Sequence, residues 1–211
     1  MRDITKGPEP RSLTEHRAGE HCDYDNYPGK DELRQALVRE QRGLCCYCMG
    51  RIRADTASMK IEHWRCQARF PGDQLNYQNL LGACLGGQSQ PSNKQYCDSQ
   101  KGDRDLRWNP ADPEHLVEPQ VRYEPDGTIR ADDDEFDQQL DAVLNLNLPW
   151  LKNNRKGVLT AVLQWWKGKK PVPKEQIQRE IQRHTSGAGE LRPYCQVTVW
   201  WLQKKLTRMA H

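Results

Sequence analysis

The chain has 211 residues, with 32 Lys+Arg against 29 Asp+Glu, a formal charge of +3 and a mean hydropathy of −0.99. Only 36% of the residues are hydrophobic, so the core is small for the length, and no apolar run approaches the roughly 18 residues a membrane helix needs. The opening MRDITKGPEPRS is charged and Pro-bearing, unlike a secretion signal, and the expectation is a soluble, cytoplasmic protein with no membrane partner.

Residues 1–29 read as an irregular arm, because Pro8, Pro10, Pro28 and HCDYDNYPG are turn-rich. KDELRQALVREQR (30–42) predicts a helix with Leu33, Ala36 and Leu37 on one face and Gly43 at its C-cap. Arg51–Arg53 and Met59–Trp64 are candidate strands, 65–78 is a polar loop, and NLLGAC (79–84) returns as an apolar segment. A Gly/Gln/Ser loop over 86–93 precedes a short helix expected within 96–104. Pro-Asp-Gly inside RYEPDGTIR (122–130) predicts a hairpin. Helical faces then follow: Phe136, Leu140, Val143 and Leu144; Val158, Leu159, Val162, Leu163 and Trp166; Ile177 with Ile181; and Tyr194, Val197 and Trp201.

Charge is unevenly spread along this layout. Residues 103–149 carry 4 basic and 13 acidic side chains, and residues 150–211 carry 13 basic and 3 acidic. Either the acidic middle and the basic end neutralise each other, or the basic end meets a polyanion or an acidic partner. Trp165-Trp166 and Trp200-Trp201, each followed by lysines, admit both single-strand stacking and a helical core with a partner surface.

Eight cysteines without a secretion signal, three of them within Cys45–Cys48, read as metal binding rather than as a disulfide scaffold. Cys45-x2-Cys48 has the spacing of a zinc knuckle, and Cys84 and Cys97 are the candidates to complete a tetrahedral site, with Cys46 a competing ligand. Cys22, Cys66 and Cys195 are isolated thiols, structural or superficial. Between the cysteine pairs lies Glu62-His63. An imidazole can activate water near neutral pH, and an adjacent carboxylate can hold a hard cation. Asn79 and Asp98 follow in order, and Lys101 reads as a phosphate contact or a solvated helix lysine.

CCYCMGRI…KIEHW…YQNLLGAC…YCDSQKGD, residues 45–103, resembles an HNH endonuclease module of the zinc-stabilised ββα-metal type. More narrowly, residues 30–165, including LNLNLPWLKNNR, resemble the PtuB family, the nucleases of Septu-type and retron-associated anti-phage systems. The resemblance implies His63 as general base and Asn79 as the residue that braces the loop and orients it. Glu62 and Asp98, which depart from the usual Asp and His/Asn of the family, become a carboxylate pair for a catalytic Mg²⁺ or Mn²⁺. It further implies structural Zn²⁺ at the four cysteines, a nucleic-acid substrate with DNA favoured and RNA allowed, and a PtuA-like ATPase partner, alone or within a retron complex. The expected fold is α+β: an arm (1–29), the zinc-stabilised HNH module (30–110), a hairpin linker (111–132) and a helical, basic C-terminal part (133–211). The competing expectation is a non-catalytic zinc module that binds nucleic acid or an ATPase.

Overall fold

A computed structural model describes residues 1–169 and 171–209. The chain is α+β, with two small antiparallel sheets and a helical C-terminal part. The N-terminal arm is not irregular throughout. Pro10 opens helix α1 (Arg11–Arg17), whose one buried residue, Leu13, joins Tyr27, Leu33, Leu37, Tyr77 and Leu80 in a local core. A seven-residue helix with a single apolar anchor leaves no periodic signature, which is why composition concealed it.

Helix α2 (Lys30–Glu40) buries Leu33, Ala36 and Leu37 and carries Asp31 and Glu32 in its first turn, where carboxylates suit the positive end of the helix dipole. Gly43, at φ +76°, turns the chain out of it. The segment Arg51–Arg53 is not a strand: only Arg51 pairs, in a lone bridge to Leu44, because residues 45–50 fold into a tight knuckle closed by Cys45 N–H to the Gly50 carbonyl at 2.8 Å. Strand β1 (Met59–His63) pairs antiparallel with β2 (Leu80–Cys84), in the register Met59↔Cys84 to His63↔Leu80. Buried Gln41 joins α2 to this hairpin. Its amide nitrogen donates to the Leu44 and Gly82 carbonyls, both at 2.7 Å, and its oxygen accepts from Gly82 N–H at 2.6 Å. A side chain at Gly82 would press on the side chains of Ile52, Met59 and Gln41 at 3.0–3.2 Å, so they would have to shift by a few tenths of an ångström to admit one.

The helix expected over 96–104 is one turn, α3 (Asp98–Lys101). A further single turn, α4 (Val117–Gln120), leads into the hairpin β3 (Val121–Tyr123) and β4 (Ile129–Ala131), reversed at Gly127 with φ +88°. Asp133 caps α5 (Asp134–Ala142) by accepting from Phe136 N–H. Helices α6 (Pro149–Gly168), α7 (Lys174–Thr185) and α8 (Cys195–Met209) follow, with α8 packed on both others. One continuous core runs from the cysteine knuckle through Tyr123, Phe136 and Leu151 to Val197 and Leu202. Among the described residues no helix is long and apolar enough to cross a membrane.

Candidate metal centre and hydrolytic site

The knuckle supplies Cys45 and Cys48, the end of β2 supplies Cys84, and Cys97 stands immediately before α3 with a left-handed φ of +54°. Their sulfurs all lie within 4.8 Å of one another, and all four residues are buried. Cys45–Cys97 and Cys48–Cys84 are each separated by 3.8 Å. A tetrahedron with Zn–S bonds of about 2.3 Å has edges of about 3.8 Å, so the cradle has the size and donor chemistry for zinc. Backbone amides complete it: Cys84 N–H donates to the Cys45 sulfur and Gly50 N–H to the Cys48 sulfur, both at 3.3 Å. Burial opposes ionisation of Cys45, but hydrogen bonds from the neighbouring cysteines outweigh it and hold that thiol well below its ordinary value, while burial drives Cys97 well above. Without a cation, four thiolates cannot coexist in so small a volume. These four buried cysteines can hold a metal such as zinc. Cys46 stands outside the group; burial pushes its thiol well up, and its amide bonds the Gly82 carbonyl.

His63 ends β1. Its Nε2 lies 3.0 Å from the Gln74 carbonyl oxygen, and its ring meets Tyr24 edge-on at 4.5 Å. A carbonyl only accepts, so Nε2 carries the proton and Nδ1 keeps a free lone pair in the neutral ring. Burial, opposed by the Gln74 bond, lowers the affinity of the ring for a second proton. Asn79 clamps the loop that presents Gln74. Its Nδ2 donates to the Arg65 and Asp73 carbonyls at 3.0 and 3.1 Å, and its Oδ1 accepts from Arg65 N–H at 2.7 Å.

Successive strand residues leave opposite faces, and Glu62 therefore meets a different set of neighbours. Tyr47 Oη donates to its Oε1 at 2.7 Å, and Lys101 Nζ pairs with the same oxygen at 2.9 Å. Asp98, at the start of α3, pairs with Lys60 at 3.1 Å and lies within hydrogen-bond reach of Glu62. Burial first, then the contact with Asp98, pushes the Glu62 carboxyl well above its ordinary range. Burial also opposes ionisation of Asp98, but Glu62 and Lys60 overcome it and keep that carboxylate below its ordinary value. Two carboxyl groups in contact, one of them partly open to solvent, are donors suited to a hard divalent cation. Lys60 and Lys101 rest on the same groups, so such a cation binds there in competition with two ammoniums.

Lys101 does not fit the role of phosphate contact, nor that of a solvated helix lysine. It is 1% exposed, and its ammonium is spent on Glu62 and on the His63 carbonyl at 3.0 Å. A short side of α3 faces inward against β1, which the four-residue turn could not announce by periodicity. The neighbours Tyr47, Lys60 and Gln74 were missed in the sequence. Only Tyr47, lying between the paired cysteines, offered a signal, because the knuckle that brings the thiols together also carries it inward.

No family model matches the chain. A stretch of 82 residues, 39% of the chain, is 27% identical to the Septu protein PtuB of Bacillus thuringiensis, and the match spans 28% of that protein's length.

Proposed function

We propose that the chain is a metal-dependent endonuclease of the HNH type, hydrolysing phosphodiester bonds as the effector of a PtuB-like anti-phage defence system. The observation that carries this reading is the tautomer of His63. With Nε2–H committed to the Gln74 carbonyl, Nδ1 is the proton acceptor, and the charge of Asp98 acts on the ring, although Glu62 leaves the other face of β1. Support comes from the chain order β1, β2, α3 around the four cysteines and from the distant similarity to PtuB.

In this reading His63 takes a proton at Nδ1 from the attacking water, and lowered basicity keeps it unprotonated near neutral pH. Asn79 acts at one remove, fixing the loop whose Gln74 carbonyl orients the ring. Glu62 and Asp98 would hold Mg²⁺ or Mn²⁺, which when bound supplies charge stabilisation to the phosphoryl oxygens. Zinc at Cys45, Cys48, Cys84 and Cys97 would fix the knuckle against β2 and α3, and so the relative positions of Glu62 and Asp98. Attack by water needs no 2′-hydroxyl, so DNA, the favoured substrate, and RNA are both chemically allowed. A PtuA-like ATPase, in a Septu or retron assembly, is the proposed partner, and the cytoplasm is the proposed location.

One observation favours the alternative of a non-catalytic zinc module: the carboxyl pair is already neutralised by Lys60 and Lys101. The deciding assay compares parental protein with His63→Ala, zinc content verified, on plasmid, linear DNA and bulk RNA. It is run in Mg²⁺, Mn²⁺ or EDTA, alone and with a PtuA-like ATPase. Cleavage that needs the cation and disappears in the variant is expected. Absence of cleavage in every arm selects the binding module.

A further inference from the structure

The acidic middle and the basic C-terminal part do not neutralise each other. Among the described residues, the acids of 103–149 are taken largely by arginines outside the C-terminal part: Arg107 holds Asp133 and Glu135, Arg122 holds Asp132, and Arg130 holds Asp137. A single ion pair, Lys152–Asp126 at 2.6 Å, crosses to residues 150–209. Helices α6 and α8 contain no carboxylate of their own. Lys204, Lys205 and Arg208, in the last turns of α8, form no ion pair among the described residues.

These three cations rim a groove of about 330 Å³ between α6, α8 and the β3–β4 turn, whose one carboxylate, Glu124, is held by Arg122 at 3.7 Å. Its floor is aliphatic, with Leu159 buried and Leu163 36% exposed. Trp200 and Trp201 form one wall. Base stacking needs free ring faces, and here the chain covers its own. Lys204 lies over Trp200 at 5.0 Å, and Lys205 lies over Trp201 at 4.8 Å and Trp166 at 5.6 Å. Trp166 and Trp201 also meet edge to face, 80° apart. An apolar floor under a cationic rim instead complements a helix with an apolar stripe flanked by carboxylates.

We propose that this groove docks an acidic amphipathic helix of a partner protein. Apolar side chains of that helix lie on Leu159 and Leu163, and its carboxylates meet Lys204, Lys205 and Arg208. The inference stands on charge and shape, and does not depend on the proposed cleavage.

The test uses the full chain and three fluorescein-labelled probes: an 18-residue Glu/Leu peptide with leucines at helical spacing, the same composition scrambled, and a dT20 oligonucleotide. Anisotropy should show the amphipathic peptide binding at least about tenfold more tightly than the scrambled one. It should weaken at least about tenfold in Lys204→Glu/Lys205→Glu/Arg208→Glu and in Leu163→Asp. Leu163, Lys204 and Arg208 are exposed and Lys205 is half-buried, and circular dichroism checks that each variant keeps its fold. No peptide binding, equal binding of the scrambled peptide, or no effect of Leu163→Asp would overturn the proposal. So would dT20 binding more tightly than the peptide and losing that affinity in the triple variant, which would make the groove a nucleic-acid site. Sedimentation of the parental protein as a dimer that the triple variant dissociates would also overturn it, with a second copy as the occupant.

Discussion

A lysine buried to 1% exposure persists only against a carboxylate, and Lys101 has Glu62 at 2.9 Å and the His63 carbonyl at 3.0 Å. Removing one member of such a pair leaves the other charge without compensation, at a cost of about 3–5 kcal/mol. Lys101→Met should therefore lower stability by about that amount in urea denaturation, and Lys101→Met/Glu62→Gln should recover most of it. Equal stability of the single and double variants would show that the pair contributes nothing as a pair. This is also where sequence reading reached its limit. Cysteine spacing singled out the four thiols that the structure gathers, because x2 spacing on a turn has a direct geometric meaning. A lysine on a one-turn helix has no such signature, and its burial depends on β1, which lies some forty residues earlier in the chain.

At the scale of elements, β2 and the long helices were legible because each carries its own apolar pattern. NLLGAC became β2, and α5 to α8 form where their periodicity put them, except that Leu163 of the expected α6 face is exposed and Val143, Leu144 and Tyr194 lie just outside the helices. The arm was not legible, because it is held by side chains instead of periodicity. Lys6 pairs with Glu40 at 3.0 Å, donates to the Leu80 carbonyl at 2.9 Å and lies 3.8 Å over the Tyr77 ring. Lys6→Met should free the arm, seen as faster amide exchange in α1 while exchange in β1 and β2 is unchanged. Unaltered protection of α1 would assign the anchoring to Leu13 and to the Ser12–Tyr27 and Arg17–Leu75 hydrogen bonds. Helix α7 has a different sensitivity. Burial, aided by Arg192 and Arg183 and opposed by Glu180, holds His184 below its ordinary value of 6.5. The unfolded chain takes up a proton below about pH 6.5 that the folded chain refuses, so stability falls as pH drops through that window. Between pH 7 and pH 5 the urea midpoint should fall further for the parental protein than for His184→Gln; parallel decreases would remove His184 as the cause.

Beside two smaller apolar clusters, the main core of the molecule runs across the boundaries expected at 110 and 133. Cys45, Cys48, Cys84 and Cys97 belong to the same apolar cluster as Phe136, Leu151, Val197 and Leu202. Arg155 of α6 reinforces it, donating to the Gly127 carbonyl at 2.6 Å and the Leu146 carbonyl at 2.7 Å. Tyr194, at the head of α8, donates its N–H to the Met49 carbonyl in the knuckle. Helices that appear in the sequence as a separate basic tail thus close over the cysteine cradle, and such closure is a long-range property that local pattern does not carry. Metal loss should propagate accordingly. Structural zinc contributes about 10–16 kcal/mol in isolated fingers, as much as the usual total stability of about 5–15 kcal/mol. Cys48→Ser, or chelation of the parental protein, should therefore unfold α6 to α8 together with the knuckle, as a single loss of helical circular dichroism accompanying the loss of zinc. Calorimetry of the zinc-loaded protein should likewise show one transition. Two transitions, or helices that survive chelation intact, would mean that the C-terminal part folds by itself and that the cradle only rests against it.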